Sequence, residues 1–207
     1  MHMKTCFIMG AMPTECTFVP RPGDLVIGAD GGLATLESLG IAPDVILGDF
    51  DSLGRIPTGD GVILHPVEKD DTDTMLACKL GLERGYRHFE IYGGIGGRLD
   101  HTIANIQTLL YLKERGASAL LVGDGETLQV IRNQSILLPA REAGLLSVFA
   151  LGGEAHGVTI RGLYYEAEDV DLMPSFPLGV SNHFCGREAF VEVKEGNLLI
   201  IAETTVG

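Results

Sequence analysis

Two aspartates one residue apart, Asp49 and Asp51, close the run Asp44-Val45-Ile46-Leu47-Gly48-Asp49-Phe50-Asp51-Ser52. Side chains at i and i+2 of an extended segment point the same way, so both carboxylates converge just beyond a short apolar strand, Val45 to Leu47. Two anions held that close call for a cation between them. A hard divalent ion such as Mg²⁺, which takes one or two protein carboxylates and fills its remaining positions with water and phosphate oxygens, suits the place. A lone Asp-x-Asp reads better as a capped turn with one solvated aspartate. Here further acidic motifs at comparable places in the chain favour the ion.

Asp30-Gly31-Gly32 sets a carboxylate and two flexible residues where a strand meets a helix start. Glycine there lets a ligand approach the backbone, and exposed amides favour phosphate; an ordinary turn with Asp30 as the helix cap accounts for it equally well. Lys69-Asp70-Asp71-Thr72-Asp73 also opens a helix, where acids are favoured by the dipole and Asp or Thr caps. Three carboxylates and a threonine within four positions exceed what a cap needs, which suggests a second acidic arm toward the ion. Gly93 to His101 combines a glycine-rich loop with Arg98 and Asp100 ahead of a helix. Backbone amides in such a loop wrap a polyphosphate, and Arg98 would neutralise developing charge. The loop is neither a complete Walker sequence nor a dinucleotide fingerprint in its usual place. His101 is balanced between packing at the helix start and a ligand role. Gly179 to His183 reads, from its residues alone, as a turn.

The elements that must carry these groups follow from the spacing of apolar residues and breakers. Lys4–Gly10, Asp24–Ala29, Val45–Leu47, Val62–His65, Phe89–Tyr92 and Ala119–Val122 read as strands. Helices are expected over Leu33–Leu39, from the acidic motif to about Arg84, and from the glycine-rich loop to Gly116. The second should bury Met75, Leu76, Leu80 and Leu82, and the third Ile103, Ile106, Leu109 and Leu110. Strands alternating with helices predict an α/β domain, a mainly parallel sheet covered by helices, over residues 1–126. Ligands in such folds bind beyond the carboxyl ends of the strands, where the polar clusters fall. From Thr127 the pattern changes to short β-prone runs, predicting a smaller all-β, sandwich-like domain over 127–207 that ends in a hairpin of Ala189–Val193 and Leu198–Ala202.

Composition narrows the partners. Fifteen Lys and Arg face 28 Asp and Glu, a net charge of −13 in 207 residues, so a nucleic acid would be repelled over most of the surface. The four cysteines, Cys6, Cys16, Cys78 and Cys185, show no Cys-x-x-Cys and no zinc spacing. They read as reduced thiols of a cytoplasmic protein. No apolar run is long enough to span a bilayer, and the first strand is not a signal peptide.

In order along the chain, Ala29-Asp30-Gly31-Gly32, Pro43-Asp44 leading to Gly48-Asp49-Phe50-Asp51-Ser52, Lys69-Asp70-x-Thr72-Asp73, Gly97-Arg98-x-Asp100-His101 and Ser181-Asn182 together resemble the thiamine pyrophosphokinase family. The resemblance spans nearly the whole chain, and Gly-Asp-Phe-Asp-Ser is its most specific element. It implies Mg²⁺-dependent transfer of a pyrophosphoryl group from ATP to the hydroxyl of thiamine, giving thiamine diphosphate and AMP, in a homodimer with sites between subunits. It further implies Asp49, Asp51 and Asp73 as Mg²⁺ ligands, and Lys69, Asp70, Thr72 and Arg98 as ATP contacts together with Asp30, Gly31 and His101. Asp100 joins Arg98 and Asp73 as a catalytic residue and is the hypothesised acceptor of the hydroxyl proton. Ser181 and Asn182 would hold thiamine. Some relatives stack the vitamin on a tryptophan; this chain has none, and Tyr165, or Tyr164, falls at that place. Position 71, a third aspartate in the acidic motif, varies in the family pattern and receives no role.

Three other readings compete. A haloacid-dehalogenase-like phosphatase also shows Asp-x-Asp after a strand, normally the first strand, whereas here it follows the third. A pyrophosphokinase acting on a hydroxymethylpterin would share the α/β half, but Ser181-Asn182 and the β domain favour thiamine. A nucleotide sensor would bind ATP without consuming it.

Overall fold

The computed structural model describes residues 3–48, the backbone of 62–64, and 71–204. The chain forms two compact units, Met1–Asp124 and Gly125–Gly207.

The first unit carries β1 (Cys6–Met9), β2 (Leu25–Ala29), α1 (Gly32–Leu39), β3 (Val45–Gly48), β4 (Val62–Leu64), α2 (Asp73–Glu83), β5 (His88–Tyr92), α3 (Leu99–Glu114) and β6 (Ser118–Val122). Its strands lie in the order β6-β5-β1-β2-β3-β4, and every pairing is parallel. All residues of β1 and β2 are buried, as a sheet covered on both faces requires. The chain steps outward from β1 to β4, and α2 then carries it back to the other side of β1. The direction therefore reverses between β1 and β5, and a crevice opens there at the carboxyl ends of the strands.

Helix α2 buries a different face from the one its apolar spacing suggests, and α3 buries only part of the expected face, Leu109. In α2 the buried residues are the small ones, Ala77, Cys78 and Gly81, while Met75, Leu76, Leu80 and Leu82 are half-buried. Small residues let the helix axis approach the sheet: a Cβ at Gly81 would stand 2.6 Å from the Phe89 ring and 2.9 Å from Cys6 Sγ. In α3 the buried set is Asn105, Thr108, Leu109 and Leu112, whereas Ile103 is 51 % exposed. Two polar members of that face are satisfied locally. Asn105 Nδ2 donates to the Gly94 carbonyl at 2.8 Å, and the Thr108 hydroxyl donates to the Ala104 carbonyl at 2.9 Å.

The second unit carries β7 (Glu126–Arg132), β8 (Ser135–Leu138), β9 (Leu145–Ala150), β10 (Ala155–Arg161), β11 (Ala167–Leu172), β12 (Asn182–His183), β13 (Ala189–Glu192) and β14 (Asn197–Glu203). Its strands form two antiparallel layers, β12-β9-β14-β7 and β11-β10-β13-β8. Between them lies a core that includes Ile131, Leu146, Val148, Val158, Val191, Leu198 and Ile200. Full burial of each such side chain stabilises the fold by roughly 1.5–3 kcal/mol.

The expected terminal hairpin is not formed. β13 pairs with β10 and β8, and β14 with β7 and β9, so the chain crosses from one layer to the other at Lys194–Asn197. The crossing is held by backbone bonds to a third segment: the amides of Lys194 and Glu195 donate to the His156 carbonyl, and His156 N–H donates to the Glu195 carbonyl at 2.8 Å. Gly196, at φ +104°, turns the chain there.

Candidate functional site

The crevice between β1 and β5 is a cleft of about 440 Å³. Its floor is made where strands end. After β1 come Ala11 and Met12, after β2 comes Asp30, and after β5 come Gly93 and Gly94. The Met12 amide donates to the Gly93 carbonyl at 3.0 Å and the Gly10 amide to the Tyr92 carbonyl at 2.7 Å, so the two strand ends stay zipped beyond the sheet. Gly93 adopts φ +63°, and a Cβ there would stand 2.6 Å from the Met12 carbonyl oxygen. Only glycine fits that crossing. Asp30 is also left-handed, at φ 50°, a conformation aspartate tolerates better than most residues. Its N–H donates to the Leu47 carbonyl at 2.8 Å and so anchors the turn to β3.

Helices close the other walls. Thr72 caps α2, its hydroxyl oxygen accepting from the Met75 N–H at 3.2 Å, and Asp73 begins the helix. Thr72, Asp73 and Thr74 line the cleft from this side. Arg98, His101 and the buried Asn105 line it from the start of α3. Arg98 forms a two-pronged pair with Asp100, Nη2 to Oδ2 at 2.6 Å and Nε to Oδ1 at 3.2 Å. The guanidinium, aided by the His101 N–H, holds the Asp100 carboxyl below the usual carboxylate range. Both partners face solvent, so the pair contributes orientation more than stability. The loop bearing Met12 is clasped from behind by Asp124, whose Oδ1 accepts from the Thr14 hydroxyl at 2.6 Å and from the Glu15 N–H at 2.9 Å.

A second cleft, of about 370 Å³, lies in the β unit and is lined by Ile160, Tyr165, Glu166, Leu178, Val180 and Asn182 among others. Tyr164 and Tyr165 stand 68 % and 62 % exposed, with ring centroids 4.9 Å apart and edge to face. The His183 ring lies 6.3 Å and 6.5 Å from them. Behind the aromatic cluster Asn182 is buried: its Oδ1 accepts from the Tyr165 N–H at 2.9 Å, and its Nδ2 donates to the Tyr165 carbonyl at 2.7 Å. Its side-chain amide thus pairs with Tyr165 as a neighbouring strand would. Ser181, at φ 58°, makes the turn, its N–H donating to Ser147 Oγ at 3.0 Å.

Comparison with known proteins decides what this pair of units is. Residues 21–121 match the catalytic domain of thiamin pyrophosphokinase, and residues 133–198 match the vitamin B1 binding domain of thiamin pyrophosphokinase. The chain belongs to the thiamin pyrophosphokinase family. It is an enzyme of that family. The thiamine pyrophosphokinase of Bacillus subtilis is 28 % identical over 213 residues, covering 98 % of this chain and 100 % of the relative. A crystal structure of thiamine pyrophosphokinase from Bacillus subtilis superposes with a TM-score of 0.84 at 26 % identity, over 98 % of this chain and 100 % of that one. The thiamin pyrophosphokinase of Candida albicans, at 14 % identity, has the same fold, with a TM-score of 0.75 over 97 % of this chain and 89 % of that one.

Of the residues expected to act in the family's reaction, Asp30, Thr72, Asp73, Arg98 and His101 share the first cleft. Gly31 lies beside it as the N-cap residue of α1, with no side-chain cap hydrogen bond. Gly32 meets the Met9 carbonyl so closely that a side chain is excluded; its smallness serves the packing of α1 on β1. Asp100 sits in the first turn of α3, paired to Arg98. Tyr165 and Asn182 line the second cleft. Asp49, Asp51, Lys69 and Asp70 lie outside the described residues. Sequence reading missed Met12, Asn105 and Asp124. Asn105 left a trace, an amide inside a helix at a position an apolar residue would otherwise take. Met12 and Asp124 left none.

Among the described residues no group of three His, Cys, Asp or Glu side chains is gathered closely enough to hold a metal ion. The cleft nonetheless offers carboxylates and hydroxyls, Asp30, Thr72, Asp73 and Thr74, with no thiolate, and β3 ends at Gly48 immediately before Asp49. That donor chemistry fits a hard cation such as Mg²⁺. No helix among the described residues is long and apolar enough to cross a membrane.

Proposed function

We propose that this enzyme transfers a pyrophosphoryl group from Mg²⁺-bound ATP to the hydroxyl of thiamine, releasing thiamine diphosphate and AMP. The observation that carries the reading is the meeting of Asp30, Thr72, Asp73, Arg98 and His101 around one cleft at the strand ends, in a chain of this family. The α/β unit, taken as residues 1–126, binds ATP through Asp30, Gly31, Lys69, Asp70, Thr72, Arg98 and His101. The β unit, residues 127–207, binds thiamine through Ser181, Asn182 and Tyr165. Asp49, Asp51 and Asp73 hold Mg²⁺, which when bound offsets negative charge on the phosphate oxygens. The protein works as a cytoplasmic homodimer, with its four cysteines free.

Phosphoryl chemistry asks the chain mainly for positioning and charge neutralisation. The thiamine oxygen attacks the β-phosphorus, the bond from that phosphorus to the α–β bridging oxygen breaks, and AMP leaves with the bond's electrons. The hydroxyl proton passes to Asp100. In the free protein Arg98 occupies that carboxylate, and a polyphosphate competes for the same guanidinium. Drawing Arg98 to the phosphates lifts the depression of the Asp100 pKa, so the base is released when the nucleotide arrives. The deciding experiment is AMP formation from Mg-ATP with and without thiamine, with the product identified by mass. Thiamine-dependent AMP together with the mass of thiamine diphosphate is the expected result. ATP binding without AMP in the presence of thiamine would refute the assignment.

A further inference from the structure

Asp71 stands one residue ahead of the α2 cap and lines the cleft beside Thr72 and Asp73. A second carboxylate on that wall is awkward for a site that takes an anionic nucleotide, because like charges a few ångströms apart repel. It is not bare. Lys79, about two turns along α2, reaches back and places Nζ 2.6 Å from Asp71 Oδ2. The same ammonium lies 5.9 Å from the centroid of the Tyr111 ring on α3, and Arg115 of α3 packs its guanidinium on that ring at 3.4 Å. Both helices involved start at the cleft, α2 with Thr72 and Asp73, α3 with Arg98 and His101.

We propose that Lys79 is a positioning residue of the nucleotide site: it neutralises Asp71 on the cleft wall and, braced on Tyr111, holds that carboxylate along α2 rather than across the mouth of the cleft. Lys79 touches no substrate and acts only through Asp71. The inference rests on the reading of this cleft as the Mg-ATP site. It makes the Asp71–Lys79 pair an electrostatic unit in which removing the cation alone is worse than removing both charges.

The test is a charge-removal cycle on the full chain with Lys79→Met, which keeps the alkyl stem, Asp71→Asn, and the double variant. The Kd for Mg-ATP is measured by calorimetry at low and high salt, alongside thiamine-dependent AMP formation and the Tm. Lys79→Met should weaken Mg-ATP binding about three- to tenfold, with kcat within about twofold, and the loss should shrink as salt screens the exposed carboxylate. Asp71→Asn should bind as tightly as the parent or tighter. The double variant should recover the parent Kd to within about twofold although it lacks the ion pair, and its Tm should stay with that of Lys79→Met. A merely structural pair would make the Kd follow the Tm, with no recovery in the double variant, and that result overturns the inference, as does an unchanged Kd in Lys79→Met. If the parent binds Mg-ATP but makes no thiamine-dependent AMP, the assignment of the reaction fails while the Kd cycle still judges Lys79. A parent that binds no Mg-ATP sinks both.

Discussion

The side chains that define this protein act in pairs, and partner identity sets what each can do. Arg98 and Asp100 neutralise one another, and Asn182 spends its amide on the backbone of Tyr165 while the Tyr165 ring stays exposed. His156 shows the same logic away from the clefts. Its Nδ1 lies 3.1 Å from Asp171 and its Nε2 3.5 Å from Glu154. Asp171 first, then Glu154 and Glu195, raise its pKa above the ordinary 6.5. A raised folded-state value means that the charged imidazole stabilises the fold fully below about pH 6.5 and that this contribution fades as pH climbs through the folded pKa. The Tm advantage of the parent over His156→Gln should therefore be larger at pH 6 than at pH 9, measured by thermal unfolding. A pH-independent difference would mean that packing, not charge, holds the ring.

At the level of elements, α2 does most to connect core and site. Its first residue lines the cleft, and Gly81 in its third turn meets the sheet. Close approach at Gly81 outweighs the cost of glycine in a helix, roughly 1 kcal/mol relative to alanine, because a larger residue would push the helix off Phe89 and Cys6. Gly81→Val should destabilise the protein by about 2 kcal/mol in urea unfolding and raise the KM for Mg-ATP, since Thr72 and Asp73 move with the helix. A variant as stable as the parent would show that the packing at this point is looser than the contacts imply. The crossing at Lys194–Asn197 makes a complementary point: a glycine turn between two apolar runs is shared by hairpins and by connections between sandwich layers.

For the molecule as a whole, the net charge of −13 discriminates between substrates. Thiamine carries a fixed positive charge on its thiazolium ring, and an acidic protein draws a cation toward it while repelling free polyphosphate. The KM for thiamine should rise roughly two- to fivefold between low and several-hundred-millimolar salt as this attraction is screened. A KM insensitive to salt would show that the net charge plays no part in drawing the cation in.

The order of strands and helices, the parallel character of the first half, and the placing of polar motifs beyond strand ends were all legible in the amino-acid sequence. Each depends on local signals: apolar runs, glycine and proline breaks, and caps such as Thr72. Strands β11 and β12 escaped, since half of Ala167–Leu172 is charged and exposed and Asn182–His183 is two residues long. Tertiary structure alone decided which face of α3 is buried, that β13 and β14 join different layers, that Asp100 is held by Arg98, that Asn182 serves Tyr165, and that Asp71 is matched by Lys79. Those outcomes are set by competition among partners far apart in the chain or on neighbouring turns. Periodicity marks a residue as able to be buried or bonded, and only the packed fold selects the partner that satisfies it.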